Sequence, residues 1–164
     1  MTRLRLVPLF AALAVLLLFA GCKKEEAPVA VAAPLHAPAS LTDDSGWKAY
    51  FQDVIGRNSQ GVTDRSSAYY MPAPGGADYD GMYSRQSQGV KDTVARGVLP
   101  GNLLAFMSPD STKMADLVVD AFKDSSAGSM KGVIILFVGK PADGDRVKAA
   151  VANSGATYRF VEAK

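Results

Sequence analysis

Apolar positions after residue 46 recur with two different periods, and the switching between them lays out the chain. Trp47, Tyr50, Phe51, Val54 and Ile55 fall at i, i+3, i+4, i+7 and i+8, which predicts one buried stripe of an amphipathic helix. Asp43, Asp44 and Ser45 precede it and supply cap groups and negative charge where the first backbone N–H groups lack partners. Ala68 to Met71 predicts a short strand, ended by the Pro/Gly run that follows. Met82, Tyr83, Gln86, Val90 and Val94 predict a second, weaker helix with Gly97 as its stop. "NLLAFM" reads as a buried strand. Ser108 as N-cap, Pro109 in the first turn and Asp110 at the positive end then open a strong helix. Its stripe is Met114, Leu117, Val118, Ala121 and Phe122. "GVIILFVG" is apolar without interruption, as a central parallel strand covered on both faces requires. "ADGDRVKAAVANSGA" predicts a short helix closing at Gly155, and "TYRFVEA" alternates as a strand exposed on one face would.

The element order is therefore α-β-α-β-α-β-α-β. Such alternation predicts an α/β fold, a small four-stranded, mainly parallel sheet with crossover helices. Residues 42–164 hold all of it, enough chain for one domain of ordinary size.

The first residues follow another pattern. Arg3 and Arg5 give a positive start, and residues 6–21, "LVPLFAALAVLLLFAG", carry no charge. A basic segment followed by an apolar one has the layout of a secretory signal. The run falls short of the ~20 apolar residues that span a bilayer comfortably. It stops at "LFAGC", which holds the only cysteine of the chain, Cys22. An apolar residue, two small residues and a cysteine in this order resemble the lipobox of bacterial lipoproteins, with Phe19 where that family usually has Leu. The resemblance covers the first 22 residues. It implies that residues 1–21 are removed as a signal peptide and that Cys22 carries a diacylglycerol thioether and commonly an N-acyl chain. Two or three chains anchor almost permanently at ~0.8 kcal/mol per buried methylene. Lys23, not Asp, follows the cysteine, which by the same resemblance implies the outer membrane. Residues 22–41 then form a tether rich in Ala and Pro. Pro28, Pro34 and Pro38 favour extended backbone, and residues 23–41 would reach on the order of 60 Å at ~3.1 Å each. His36, the only histidine, lies there and is expected to be solvated.

Charge changes the picture once the signal is set aside. The full chain has 18 basic and 16 acidic residues; without Arg3 and Arg5 the two balance at 16 each. A neutral protein is a poor ligand for nucleic acid, which rewards released counterions, and neutrality argues against a polybasic membrane patch. No cysteine follows Cys22, so no disulfide staples the domain.

Candidate chemistry is sparse. Without His or Cys in residues 42–164, zinc sites built on those ligands and histidine-assisted nucleophiles have no parts. No metal and no cofactor is expected. "DYDG" at residues 78–81 looks like half a calcium loop, but its twelfth position is Ser87 or Gly89 instead of a closing Glu, and a solvated polar loop is the expectation. Proline-containing loops follow three of the strands. At the carboxyl edge of a parallel sheet they would bring Ser108, Asp110, Ser111 and Lys140 into a possible binding crevice near two helix N-termini. Tyr69 and Tyr70 are possible interface residues, one packed inward and one facing out. The function expected from these features is that of a membrane-anchored, non-enzymatic envelope lipoprotein whose periplasmic domain binds another envelope component. The alternative is a small-ligand binder or hydrolase working through the crevice.

Overall fold

The computed structural model describes residues 33–164; Cys22, the signal segment and most of the tether lie outside the described residues. Four helices and four strands alternate: α1 (Asp44–Arg57), β1 (Ser66–Tyr70), α2 (Tyr79–Arg96), β2 (Leu103–Met107), α3 (Ser111–Phe122), β3 (Ile134–Gly139), α4 (Pro141–Val151) and β4 (Thr157–Glu162), with a 3-10 turn at Ala152–Ser154 before the last strand. The fold is the expected α/β one. All three neighbouring strand pairs are parallel, and the order across the sheet is β1-β2-β3-β4.

That order decides where the helices go. A right-handed crossover that always adds its strand on the same side of the sheet always leaves its helix on the same face. Accordingly α2, α3 and α4 share one face, packing Val90, Val94, Met114, Leu117, Val118 and Val147 against Leu104, Phe106, Ile135 and Phe137. The opposite face has α1, whose Trp47, Tyr50, Phe51 and Val54 cover Leu103, Ala105, Met107, Ile134, Leu136 and Val138. Every residue of β2 and β3 is buried, which is why their sequences are apolar at each position rather than at every second one.

Local chemistry explains the element ends, and corrects some expectations. Asp43 caps α1 by accepting the Gly46 N–H at 2.9 Å. The cap of α3 is Asp110, which accepts the Lys113 N–H at 3.1 Å, and not Ser108. Ser108 sits two residues earlier and accepts the Asp110 N–H at 3.0 Å, forming the turn that aims the cap. Pro109 therefore lies before the helix instead of inside its first turn. "DYDG" is no loop: its last three residues make the first turn of α2. Gly97 ends that helix at φ 77°, a conformation that costs a residue with a Cβ.

Order on the domain starts before Thr42. The Ala37 N–H donates to the Lys164 carbonyl at 3.0 Å, and Trp47 Nε1 donates to the Ser40 carbonyl at 3.0 Å. The Leu35 N–H reaches the Asp53 carboxylate at 3.2 Å, so the end of the Pro/Ala segment runs along α1 instead of standing free. His36 within it is exposed.

Candidate functional site

The carboxyl edge of the sheet brings three of the four expected residues into one crevice. Ser108, Ser111 and Lys140 line a cavity of about 270 Å³ together with Trp47, Pro109 and Gly139; Ala37, Pro38 and Leu41 cross one side of it. Asp110 is absent from that lining, its carboxylate being turned to the first turn of α3. Ser111 is buried and its Oγ accepts the Lys140 N–H at 2.9 Å, so the hydroxyl joins the start of α3 to the start of α4. Gly139 is needed beside it, because a Cβ there would collide with Ser111 Oγ. Lys140 itself is exposed.

The topology bears on how inviting this crevice is. Ligand crevices of open α/β sheets form where the strand order reverses and neighbouring loops part to opposite faces. Here the order runs β1-β2-β3-β4 without reversal. The loops after β1, β2 and β3 all turn toward one face, and the space left is shallow and partly closed by residues 37–41.

A second carboxylate, Asp143, lies in the first turn of α4, buried. It accepts from Thr112 Oγ1 at 3.1 Å and pairs with Arg146 at 3.3 Å. The first of these bonds ties α4 to α3. Its sequence signal was the Asp at i with Arg at i+3 inside a predicted first turn, which marks a helix start as well as a site.

Tyr69 and Tyr70 differ from expectation. Both are half-buried, on opposite faces of the sheet. Tyr69 stacks on Phe106 with ring centroids 5.0 Å apart. Tyr70 packs near Phe51 at 6.5 Å, with Lys48 Nζ 5.5 Å from its ring centre. Because β1 is an edge strand, α2 and α1 flank it on either side and leave neither ring fully free. Burial, and then the Asp44 carboxylate close by, hold the Tyr70 phenol well above its ordinary pKa. The Tyr70 hydroxyl and Asp44 Oδ1 are both closed to solvent without a partner at good hydrogen-bond geometry. The Lys48 ammonium, 2.6 Å from Oδ2, holds Asp44 below the usual carboxylate range.

The opposite, amino edge of the sheet was not singled out by the sequence. Backbone hydrogen bonds stitch its loops together: Gly101 N–H to the Gly132 carbonyl at 2.8 Å, Leu103 N–H to the Arg65 carbonyl at 2.8 Å, and Thr63 N–H to the Gly101 carbonyl at 3.0 Å. Asn102 Nδ2 donates to Asp64 at 2.8 Å and to the Leu99 carbonyl at 3.0 Å. Next to this seam, the ends of α2 and α3 bound an open cavity of about 700 Å³. Arg96, Lys91 and Lys123 line it, with Asp120 and Asp124. Asp120 pairs with both lysines, and those bonds hold its carboxyl below the ordinary range. Two serines of the lining, Ser125 and Ser129, have hydroxyls shut from solvent with no partner.

At three helix starts and two helix ends the charge follows the helix dipole. Helix starts at the carboxyl edge carry Asp44, Asp80 and Asp143, and helix ends at the amino edge carry Arg57 and Arg96, each sign matching the helix dipole it sits on. Among the described residues no three His, Cys, Asp or Glu side chains group as a metal site, and no helix is long and apolar enough to cross a membrane. No family model, curated protein or solved structure matches the chain.

Proposed function

We propose that this chain is a lipid-anchored protein of a bacterial envelope whose α/β domain works by binding another envelope component. The observation that carries the proposal is the order of features ending in "LFAGC": a basic start, an uncharged run, a small pair and the sole cysteine. The domain is consistent with a binding role. The polar groups at its carboxyl edge are spent largely on helix caps and turns, as Ser108, Asp110 and Ser111 show.

The anchor is tested by metabolic labelling with palmitate in a bacterial host. Wild type is expected to take up label and Cys22→Ser to take up none; label retained by the variant, or absent from wild type, overturns the proposal. Crosslinking in intact cells then asks what the domain touches. The second reading, a small-ligand site at the carboxyl edge, is favoured only by the crevice beside Trp47, Ser111 and Lys140. A metabolite that co-purifies with wild type and is lost on Lys140→Ala would raise it above the first.

A further inference from the structure

We propose that the amino edge of the sheet is a second membrane contact, a docking surface for anionic lipid centred on Leu99 and rimmed by Arg65, Arg96 and Lys131.

Leu99 is 74 % exposed, the most exposed large apolar side chain among the described residues. It stands in the loop between α2 and β2, where the hydrogen bonds of Gly101 and Leu103 draw in the Gly132 loop and the Arg65 segment. The three cations come from the three joined segments. Arg65, Arg96 and Lys131 are exposed, and none takes part in an ion pair among the described residues. An apolar tip within a ring of uncommitted cations matches the boundary between acyl chains and anionic headgroups, where the tip enters hydrocarbon and the cations stay with phosphate. The acids nearby are Asp64, already accepting from Asn102, Asp120, paired with Lys91 and Lys123, and exposed Asp124.

Arg96 also lies on the wall of the adjoining cavity, with Lys91 and Lys123 and the two acids Asp120 and Asp124. The first described residues run toward this edge. From Ala37, at the carboxyl edge, the described segment runs back along α1 to Leu35 on Asp53, one turn before the Arg57 end of α1. The eleven residue steps from Cys22 to Ala33 reach at most ~40 Å, which keeps the domain within a few of its own diameters of the anchor. This inference rests on the anchored reading for proximity alone. Each cation near an anionic surface strengthens binding roughly five-fold, weak for a free protein but sufficient for one held at the millimolar effective concentration of a short tether.

The test uses the full chain reconstituted in vesicles through its own N-terminal segment, with a photoactivatable phenylalanine analogue at position 99 or, as control, at the exposed position 41. In mixed phosphatidylglycerol and phosphatidylcholine, capture of lipid at position 99 is expected to exceed that at 41 at least five-fold. The excess is expected to vanish in pure phosphatidylcholine, in about 0.5 M salt, and in the Arg96→Glu, Lys131→Glu variant. Inorganic phosphate at millimolar concentration is expected to leave it unchanged. Equal capture at the two positions, capture independent of anionic lipid, competition by free phosphate, or capture of protein instead of lipid at position 99 in native membranes would each overturn the docking surface. Folding of the charge-reversal variant is checked by its unchanged circular dichroism. Failure of the anchor shows separately, as missing palmitate on Cys22.

Discussion

Ser111 Oγ and the backbone N–H of Lys140 are bonded at 2.9 Å across 29 residues of sequence. The bond ties the first residue of α3 to the N-cap of α4, so two residues that look like ligand groups in the sequence act on each other. Ser111→Ala leaves the Lys140 N–H without this acceptor at the buried end of β3. The expected loss is ~1–3 kcal/mol of stability, read as a lower urea midpoint with an unchanged denaturant slope. Partner capture in cells is expected to persist; its selective loss in a folded variant would return Ser111 to a binding role.

Gly144, buried in α4, lies against the Phe160 ring. A Cβ at Gly144 would come within 2.7 Å of ring carbons of Phe160, while Tyr158 Oη donates to the Gly144 carbonyl at 2.8 Å. Gly144→Ala gains up to ~1 kcal/mol of helix propensity but loses ~1–3 kcal/mol to the displaced ring. Net destabilisation is expected in the wild-type background and net stabilisation in the Phe160→Ala background. Thermal melts of the four proteins check this; a stabilising Gly144→Ala in wild type would show that the ring moves freely.

The fold was legible in the sequence because its signals were periodic and local. The uninterrupted "IILFVG" run demanded a strand covered on two faces, and the Met114 to Phe122 stripe fixed α3. What was not legible depended on neighbours distant in sequence. Ser108 and Asp110 are both good caps, and only the turn geometry chooses between them. Tyr69 and Tyr70 alternate as strand residues should, yet their exposure depends on how far α1 and α2 overhang β1. The separation of Asp44 from Arg57 was hidden because composition counts them as cancelling, although they sit at opposite ends of one helix. Arg65, Arg96, Leu99 and Lys131 carry no shared spacing, and only hydrogen bonds among three loops assemble them.

Acid is expected to weaken the fold through Asp120 and Asp53. Bonds from Lys91 and then Lys123 lower the pKa of the first; a bond from Arg57 lowers that of the second. A carboxylate with a depressed folded pKa adds stability above its unfolded value, near 3.8, and loses it as pH falls through the folded one. The unfolding midpoint should therefore drop below about pH 4, and by less in the Lys91→Met, Lys123→Met variant. Identical acid profiles for the two proteins would show that the pairs contribute nothing.

Alkali acts through the phenols. Of the six tyrosines, Tyr50, Tyr70, Tyr79, Tyr83 and Tyr158 all have pKa values raised above 10.0, with burial the leading cause in each. A raised folded pKa gives stability that is complete below the unfolded value and is lost as pH climbs past it. Phenolate absorbance is expected to lag free tyrosine and then to rise together with unfolding above pH 10.0. Asp44→Asn is expected to let Tyr70 ionise earlier; a smooth titration near 10.0 in all proteins would contradict the packing of these rings.

The strand order has a bearing on how such a chain is made. Each strand lies beside the one that left the ribosome just before it, so none has to wedge between two earlier neighbours. A chain that emerges amino end first can complete one β-α-β unit after another, without holding an unfinished gap open to chance pairing. The bond from the Ala37 N–H to the Lys164 carbonyl then joins the stretch before α1 to the stretch after β4.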